Sequence, residues 1–132
     1  MSMNPGESLP ANSHISVEDA NEKVKDGSLV LVDIRTPQEW MQTGIPDGAL
    51  AISMNHPGGA EGFMQDVDAA LQGDREAPLA IICRTGARTA QMQQFLWSQG
   101  YKNVLNVTEG MQGSFAGPGW LRSGLPIKPY TE

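Results

Sequence analysis

Two four-residue runs without a polar interruption, Leu-Val-Leu-Val at residues 29–32 and Leu-Ala-Ile-Ile at 79–82, constrain the fold more than any other feature. A strand with one face in water alternates apolar and polar residues, whereas a strand covered on both faces reads as a continuous apolar run. Each run ends on a residue with chemistry, Asp33 in one case and Cys83 in the other. Helix-start signals follow the first at once: Thr36-Pro37-Gln38-Glu39 has the form of a capping box with proline at the first helical position.

The remaining segments fit the same alternation. Ser16 and Asp19 suggest a capping box that opens a helix running to about Lys25 and stopping before Gly27. Residues 44–48 read as a turn and 49–52 as a short strand. Over 60–71, Phe63, Met64, Val67 and Leu71 recur as one helical face. A further helix is expected from about Arg88 or Thr89, with Met92, Phe95, Leu96 and the aliphatic part of Gln99 as its stripe and Gly100 as a left-handed cap. Residues 104–107 make a last buried strand. The Gly- and Pro-rich tail, 109–129, is expected to wrap the surface with one or two short turns. Strand and helix in repetition mean α/β with a mainly parallel sheet, right-handed connections and ligands beyond the carboxyl ends of the strands. Cys83 stands at such an end.

Composition narrows the function classes. A chain of 132 residues suits one domain, and at this size roughly two-thirds of the unfolded surface is buried without metal or disulfide staples. Nine basic residues against 15 acidic ones leave a net charge of −6, which argues against nucleic acid or anionic membranes as partners. No apolar run is long enough for a membrane span. The single cysteine excludes an internal disulfide, a Cys-x-x-Cys pair and a cysteine-rich zinc site; with only His14 and His56 beside it, no metal or cofactor is expected. The start of the chain is polar and lacks a basic and an apolar signal region, so residues 1–12 are expected to be a flexible leader and 13–132 a single domain. A lone thiol without a signal favours the cytoplasm, and no heptad or apolar patch argues against a monomer.

The stretch Cys83-Arg84-Thr85-Gly86-Ala87-Arg88-Thr89 carries the chemistry. Gly86 permits a tight turn in which successive backbone N–H groups face the sulfur, and the following helix adds the positive end of its dipole. Both favour thiolate over thiol, and Arg84 and Arg88 add formal charge. Residues 77–108 contain no Asp or Glu while holding Arg84, Arg88 and Lys102, an electropositive island suited to a small anion. A cysteine serving only as a small buried hydrophobe would need none of this.

In these residues the chain resembles the rhodanese-like sulfurtransferases, over about His14 to Pro126. Cys83-Arg84-x-Gly86-x-Arg88-Thr89 is similar to the family's active-site loop. Asp33-Ile34-Arg35 with Glu39-Trp40, the turn Ile45-Pro46-Asp47-Gly48-Ala49, and Glu109-Gly110-Met111 with Trp120-x-x-x-Gly124-Leu125-Pro126 resemble its other signatures in order and spacing. The resemblance implies a three-layer domain with about five strands and helices on both sheet faces. It implies sulfane-sulfur transfer: Cys83 attacks the outer sulfur of thiosulfate, and the resulting persulfide is passed on. Residues 84–89 would bind the substrate, with Arg84 and Arg88 on the sulfonate. Asp33 and Arg35 would be structural, Arg35 paired to Asp33 or Glu39. Trp40, Trp97 and Trp120 are expected to pack rather than stack on ligand. With no second cysteine, the acceptor must be external: cyanide, a thiol, thioredoxin or a sulfur-carrier protein. Two departures stand out. Thr43-Gly44 replaces the family's Gly-His before the Ile-Pro turn, and residues 112–119 form an insertion whose three glycines and proline suggest either a mobile rim that shapes partner access or a plain surface excursion.

Three rival readings remain. A cysteine phosphatase or arsenate reductase resembles Cys-x5-Arg, but here Arg88 follows after four residues and Thr89 takes the arginine's place. A cysteine hydrolase would need His14 or His56 as base, and neither has a third group at a recognisable spacing. A non-enzymatic persulfide carrier or interaction module uses the same cysteine without free thiosulfate. The basic loop gives a weak preference for thiosulfate over 3-mercaptopyruvate.

Overall fold

The computed structural model describes residues 13–131; the leader expected at 1–12 lies outside the described residues. Helix α1 (Val17–Lys25) starts at Ser16, whose hydroxyl accepts the Asp19 amide. Strand β1 (Val30–Asp33) leads to α2 (Pro37–Thr43), where the capping box forms in full between Thr36 and Glu39. Next come β2 (Ile45–Pro46), β3 (Leu50–Ala51), α3 (Gly59–Ala70), β4 (Leu79–Ile82), α4 (Ala87–Ser98), β5 (Val104–Asn106), α5 (Gly119–Arg122) and β6 (Ile127–Lys128).

Four strands make a parallel sheet in the order β3-β1-β4-β5, with Asp33 opposite Ile82 and Leu79 opposite Val104. An isolated parallel bridge from His14 to Asn106 extends the β5 edge. The apolar runs are continuous because their residues divide between two cores. Val32, Leu79 and Ile81 join Phe63 and Val67 of α3 and Met92 and Leu96 of α4. Leu31, Ala80 and Ile82 point the other way and join Val17 and Ala20 of α1, Met111 and Trp120. Period-two alternation survives as alternation between cores rather than between core and water.

Three local expectations are corrected. Part of the expected 44–48 turn is strand: Ile45 and Pro46 pair antiparallel with Lys128 and Ile127 of the tail. A pairing partner more than 80 residues away leaves no local trace. On α4, Gln99 is exposed beyond the helix end, and the buried face carries Thr89, Met92, Gln93 and Leu96. Gln93 is buried because its amide donates to the Ser13 and Val104 carbonyls, both at 2.8 Å. Finally, the tail does more than cover the surface. Trp120 is fully buried, and its indole N–H donates to the Pro126 carbonyl at 2.9 Å.

From β1 the chain goes to one side for β3, then crosses back to place β4 on β1's other side. This reversal opens a crevice at the carboxyl ends of β1 and β4, the ligand position of open parallel sheets. Because α5 seals one core through a single large side chain, Trp120→Ala should lower unfolding free energy by about 3–5 kcal/mol, read as a lower urea midpoint with Trp120→Phe falling between it and the parent.

Candidate active site

Strand β4 delivers Cys83 into that crevice. Gly86 has φ of 95°, in the left-handed region, and a Cβ there would lie 2.5 Å from the Thr108 carbonyl oxygen. Only glycine suits both demands. The turn brings the Gly86 N–H back to donate to Cys83 Sγ at 3.2 Å, and the Thr89 hydroxyl lies 3.5 Å from the same sulfur. Ala87, Arg88 and Thr89 follow in the first turn of α4, where a helix has no carbonyls to offer its own amides and carries partial positive charge. Cys83 is 1% exposed and touches the α3–α4 core, as a packing cysteine would. Its amide and hydroxyl partners are what a packing cysteine does not need. Arg84, Thr85 and Ala87 are exposed, Arg88 is half-buried, and Gly86 and Thr89 are buried.

The segment after β5 clamps the loop from behind. Met111 N–H donates to the Cys83 carbonyl at 2.8 Å and Gln112 N–H to the Arg84 carbonyl at 2.9 Å. Gly110, with φ of 74°, passes so close that a Cβ would overlap the Arg84 carbonyl and the Thr85 amide. The Glu-Gly-Met signature is thus the back wall of the Cys83 loop.

The three arginines have different lives. Arg35 is buried and grips Asp33 through both Nε and Nη2, then reaches Thr43 Oγ1 and the Gly44 carbonyl, each at 3.0 Å. Thr43-Gly44, the family departure, therefore receives the guanidinium with a hydroxyl and a carbonyl. Arg88 is held by Glu39 in a two-pronged pair, Nη1 to Oε1 at 2.8 Å and Nη2 to Oε2 at 2.9 Å. This Arg88 pairing, together with the Thr36 amide of the capping box, holds the Glu39 carboxyl down at about 2, and Glu39 in turn raises the Arg88 guanidinium. Sequence reasoning missed the pair. Glu39 was visible as a cap, but nothing local signals a partner 49 residues on. The electropositive island is therefore weaker in space than along the chain, and Arg84 is its more available cation. Its Nε donates to the Gln112 side chain, and its exposed head lines a cleft of about 380 Å³ with Arg35, Glu39, Gln42, Met111 and Leu121.

The insertion turns back on itself in a tight bridge. Ser114 and Gly117 exchange backbone hydrogen bonds, and Ser114 Oγ donates to the Thr108 carbonyl. Buried Glu109 accepts the Val17 amide on one oxygen and the Gly119 amide on the other, both at 3.1 Å. Phe115 stands fully exposed at the tip.

Neither histidine meets the sulfur. His14 Nδ1 lies 2.7 Å from Thr108 Oγ1 at the sheet edge. His56 Nδ1 accepts the Gly58 amide, which puts the proton on Nε2, facing Asp66 at 2.7 Å. With both ring nitrogens occupied, His56 has no free lone pair for general-base work.

The family model for the rhodanese-like domain matches residues 16–115. A sulfurtransferase of Allochromatium vinosum is 35% identical over 116 residues, covering 87% of this chain and 94% of that protein. An uncharacterized protein of Rickettsia prowazekii is 28% identical over 113 residues, covering 80% and 88%. Among solved structures, the polysulfide-sulfur transferase homodimer of Wolinella succinogenes is 26% identical with a TM-score of 0.65, covering 95% of this chain and 85% of that one.

Two outcomes follow. The Glu39–Arg88 contribution is present above the ordinary carboxylate range and lost as pH falls through it toward 2, because folding depresses the Glu39 carboxyl. Parent and Glu39→Gln should therefore differ by on the order of 1–2 kcal/mol in denaturant unfolding at pH 6, and the gap should close toward pH 2–3. Gly110→Ala, which must push the Cys83 loop, should slow thiol alkylation at least severalfold in protein that circular dichroism shows to be folded.

Proposed function

The chain belongs to the rhodanese-like domain family, and from that premise we propose that it is a sulfurtransferase in which Cys83 takes sulfane sulfur from thiosulfate, or a related persulfide donor, and gives it to a thiophilic acceptor. The supporting observation is the sulfur's setting: at a strand's carboxyl end, under the Gly86 amide, beside the Thr89 hydroxyl, at the start of α4. Such a site sets an N–H donor, a hydroxyl and the positive end of a helix against the sulfur, the partners that a sulfur-transfer step can use.

In the first half-reaction the Cys83 thiolate attacks the outer sulfur of thiosulfate. A new S–S bond forms as the bond to the sulfonate sulfur breaks, and sulfite leaves with the electron pair. The persulfide carries one negative charge, as the thiolate did. In the second half-reaction cyanide or an external thiolate attacks the outer sulfur, yielding thiocyanate or a new persulfide and restoring the Cys83 thiolate. This is covalent catalysis with ping-pong kinetics. The chain has no second cysteine, so the acceptor comes from outside: a thiol, thioredoxin or a carrier protein. Because Cys83 is only 1% exposed, the donor must present a narrow protruding sulfur. The sulfonate then rests against Arg84 in the adjoining cleft, while Arg88, tied to Glu39, fixes the first turn of α4. Four residues between Cys83 and Arg88 leave a ring better sized to one sulfur atom than to a tetrahedral phosphate. A monomer in a reducing compartment completes this reading.

The test is intact mass after incubation with thiosulfate, with an inorganic polysulfide as a second donor and Cys83→Ser as control. Gain of one sulfur atom in the parent only, removed by cyanide with release of thiocyanate, is expected; hydrolysis of an aryl phosphate without sulfur gain would overturn the reading. In steady state, Arg84→Ala should raise the thiosulfate KM about tenfold or more, and Arg88→Ala should cost mainly stability.

A further inference from the structure

Behind the sulfur lies a buried amide that the transfer reaction as described does not use. Asn106, the last residue of β5, is 2% exposed. Its side-chain oxygen lies 2.6 Å from Thr89 Oγ1, and its side-chain nitrogen donates to the Gly86 carbonyl at 3.4 Å. Thr89 Oγ1 in turn lies 3.5 Å from Cys83 Sγ. Cysteine, threonine and asparagine thus form one chain of contacts running inward from the sulfur.

Counting protons along this chain shows a conflict. A hydroxyl has one proton to give. The Gly86 carbonyl, although 3.0 Å from Thr89 Oγ1, already receives the Ala90 amide at 3.1 Å and the Asn106 side chain, which fill its two lone pairs. The Thr89 proton therefore has two competing destinations, Asn106 Oδ1 and Cys83 Sγ. With the sulfur protonated there is no competition: S–H donates to Thr89, Thr89 to Asn106 Oδ1, and Asn106 N–H to Gly86. With the sulfur anionic, as thiolate or persulfide, the Thr89 proton is drawn to it. Two oxygens then face each other at 2.6 Å with no proton between them. Turning the Asn106 amide by half a rotation removes the clash, because its NH₂ now donates to Thr89 Oγ1. The exchange leaves the amide oxygen 3.4 Å from the Gly86 carbonyl, beyond oxygen–oxygen contact; that carbonyl keeps the Ala90 amide, and the lone pair it regains is a neutral acceptor that competes for the Thr89 proton more weakly than the anionic sulfur does.

We propose that Asn106 is a positioning residue whose side-chain amide has two orientations, one for each charge state of Cys83, and so lets the single Thr89 hydroxyl serve both the resting thiol and the sulfur anion. This rests on the reading of Cys83 as the sulfur carrier. An amide is suited to the task because its two ends are isosteric but opposite in hydrogen-bonding sense. A carboxylate or an alkyl group at 106 has one sense or none. The β5 position also fixes the pivot, since the Asn106 backbone is held on both edges: Asn106 N–H donates to the Ser13 carbonyl at 2.7 Å, and its own carbonyl accepts the Ile15 amide at 3.1 Å.

The experiment follows the pH dependence of iodoacetamide alkylation of Cys83 in the resting protein, which requires no sulfur donor. Failure of the switch is thereby separable from failure of sulfur loading. Variants are Asn106→Asp, Asn106→Leu, Thr89→Val and the two doubles, with folding checked by circular dichroism. The native charged groups around the sulfur (Arg84, Arg88 with Glu39, and Asp33 with Arg35) are the same in all of them. The carboxylate that Asn106→Asp adds acts through space equally with or without the Thr89 hydroxyl, so the part of its shift lost in the Thr89→Val background is the part carried by the hydroxyl. Asn106→Asp, an acceptor at both ends, should hold the Thr89 proton away from the sulfur and move the alkylation midpoint up by about one pH unit, a tenfold slower reaction below it. Asn106→Leu, which leaves only the neutral Gly86 carbonyl to compete with the sulfur for the Thr89 proton, should move the midpoint down. Both shifts should shrink by at least half in the Thr89→Val background. A midpoint that does not move, shifts of the same sign for Asp and Leu, or an Asp shift that persists undiminished without the hydroxyl would overturn the proposal. Should Asn106→Leu fail to fold, the Asp shift with and without Thr89 decides alone.

Discussion

The turn at Gly86 underlies the whole site. Strand β4 must end, reverse and become a helix within four residues, and it must do so against the Thr108 carbonyl, with no room for a side chain and φ of 95°. Only under those conditions does an amide face back onto the sulfur of the residue that ends the strand. The Cys83 sulfur, the Gly86 amide and the first turn of α4 are then near one another as a consequence of geometry rather than of any attraction among them. The β5–α5 segment holds this turn in place through the Met111 and Gln112 amides, so the back wall of the site is built from residues far along the chain.

Charge is arranged with more restraint than the loop alone suggests. Of three arginines near the crevice, two are already matched: Arg35 by Asp33 beneath the sheet ends, Arg88 by Glu39 across from α2. Buried or half-buried guanidinium groups without such partners would be costly. Their pairing turns α2 into a brace for α4 and leaves Arg84 on the exposed lip, with its Nε on the Gln112 side chain.

The insertion at 112–119 uses its glycines for close packing. They allow close approach to the Glu109 side chain and to neighbouring backbone, and Glu109 satisfies two amides from α1 and α5 at once. Phe115 stands exposed at the tip of the insertion.

The sequence by itself determined the layers and the place of the chemistry. Continuous apolar runs required strands covered on both faces, capping residues placed α1 and α2, and Cys83 with Gly86 marked the strand-to-helix turn, because each of these rests on local backbone preference or short-range periodicity. Tertiary structure alone decided what meets across distance. The β2–β6 pairing, the Glu39–Arg88 pair, the burial of Trp120 and the approach of Asn106 to Thr89 all join residues separated by between about fifteen and eighty positions or are fixed by packing. No local pattern encodes such contacts, since each partner satisfies its own neighbourhood equally well without the other. They arise when the sheet sets its strand order and brings the carboxyl ends of β1, β4 and β5 side by side.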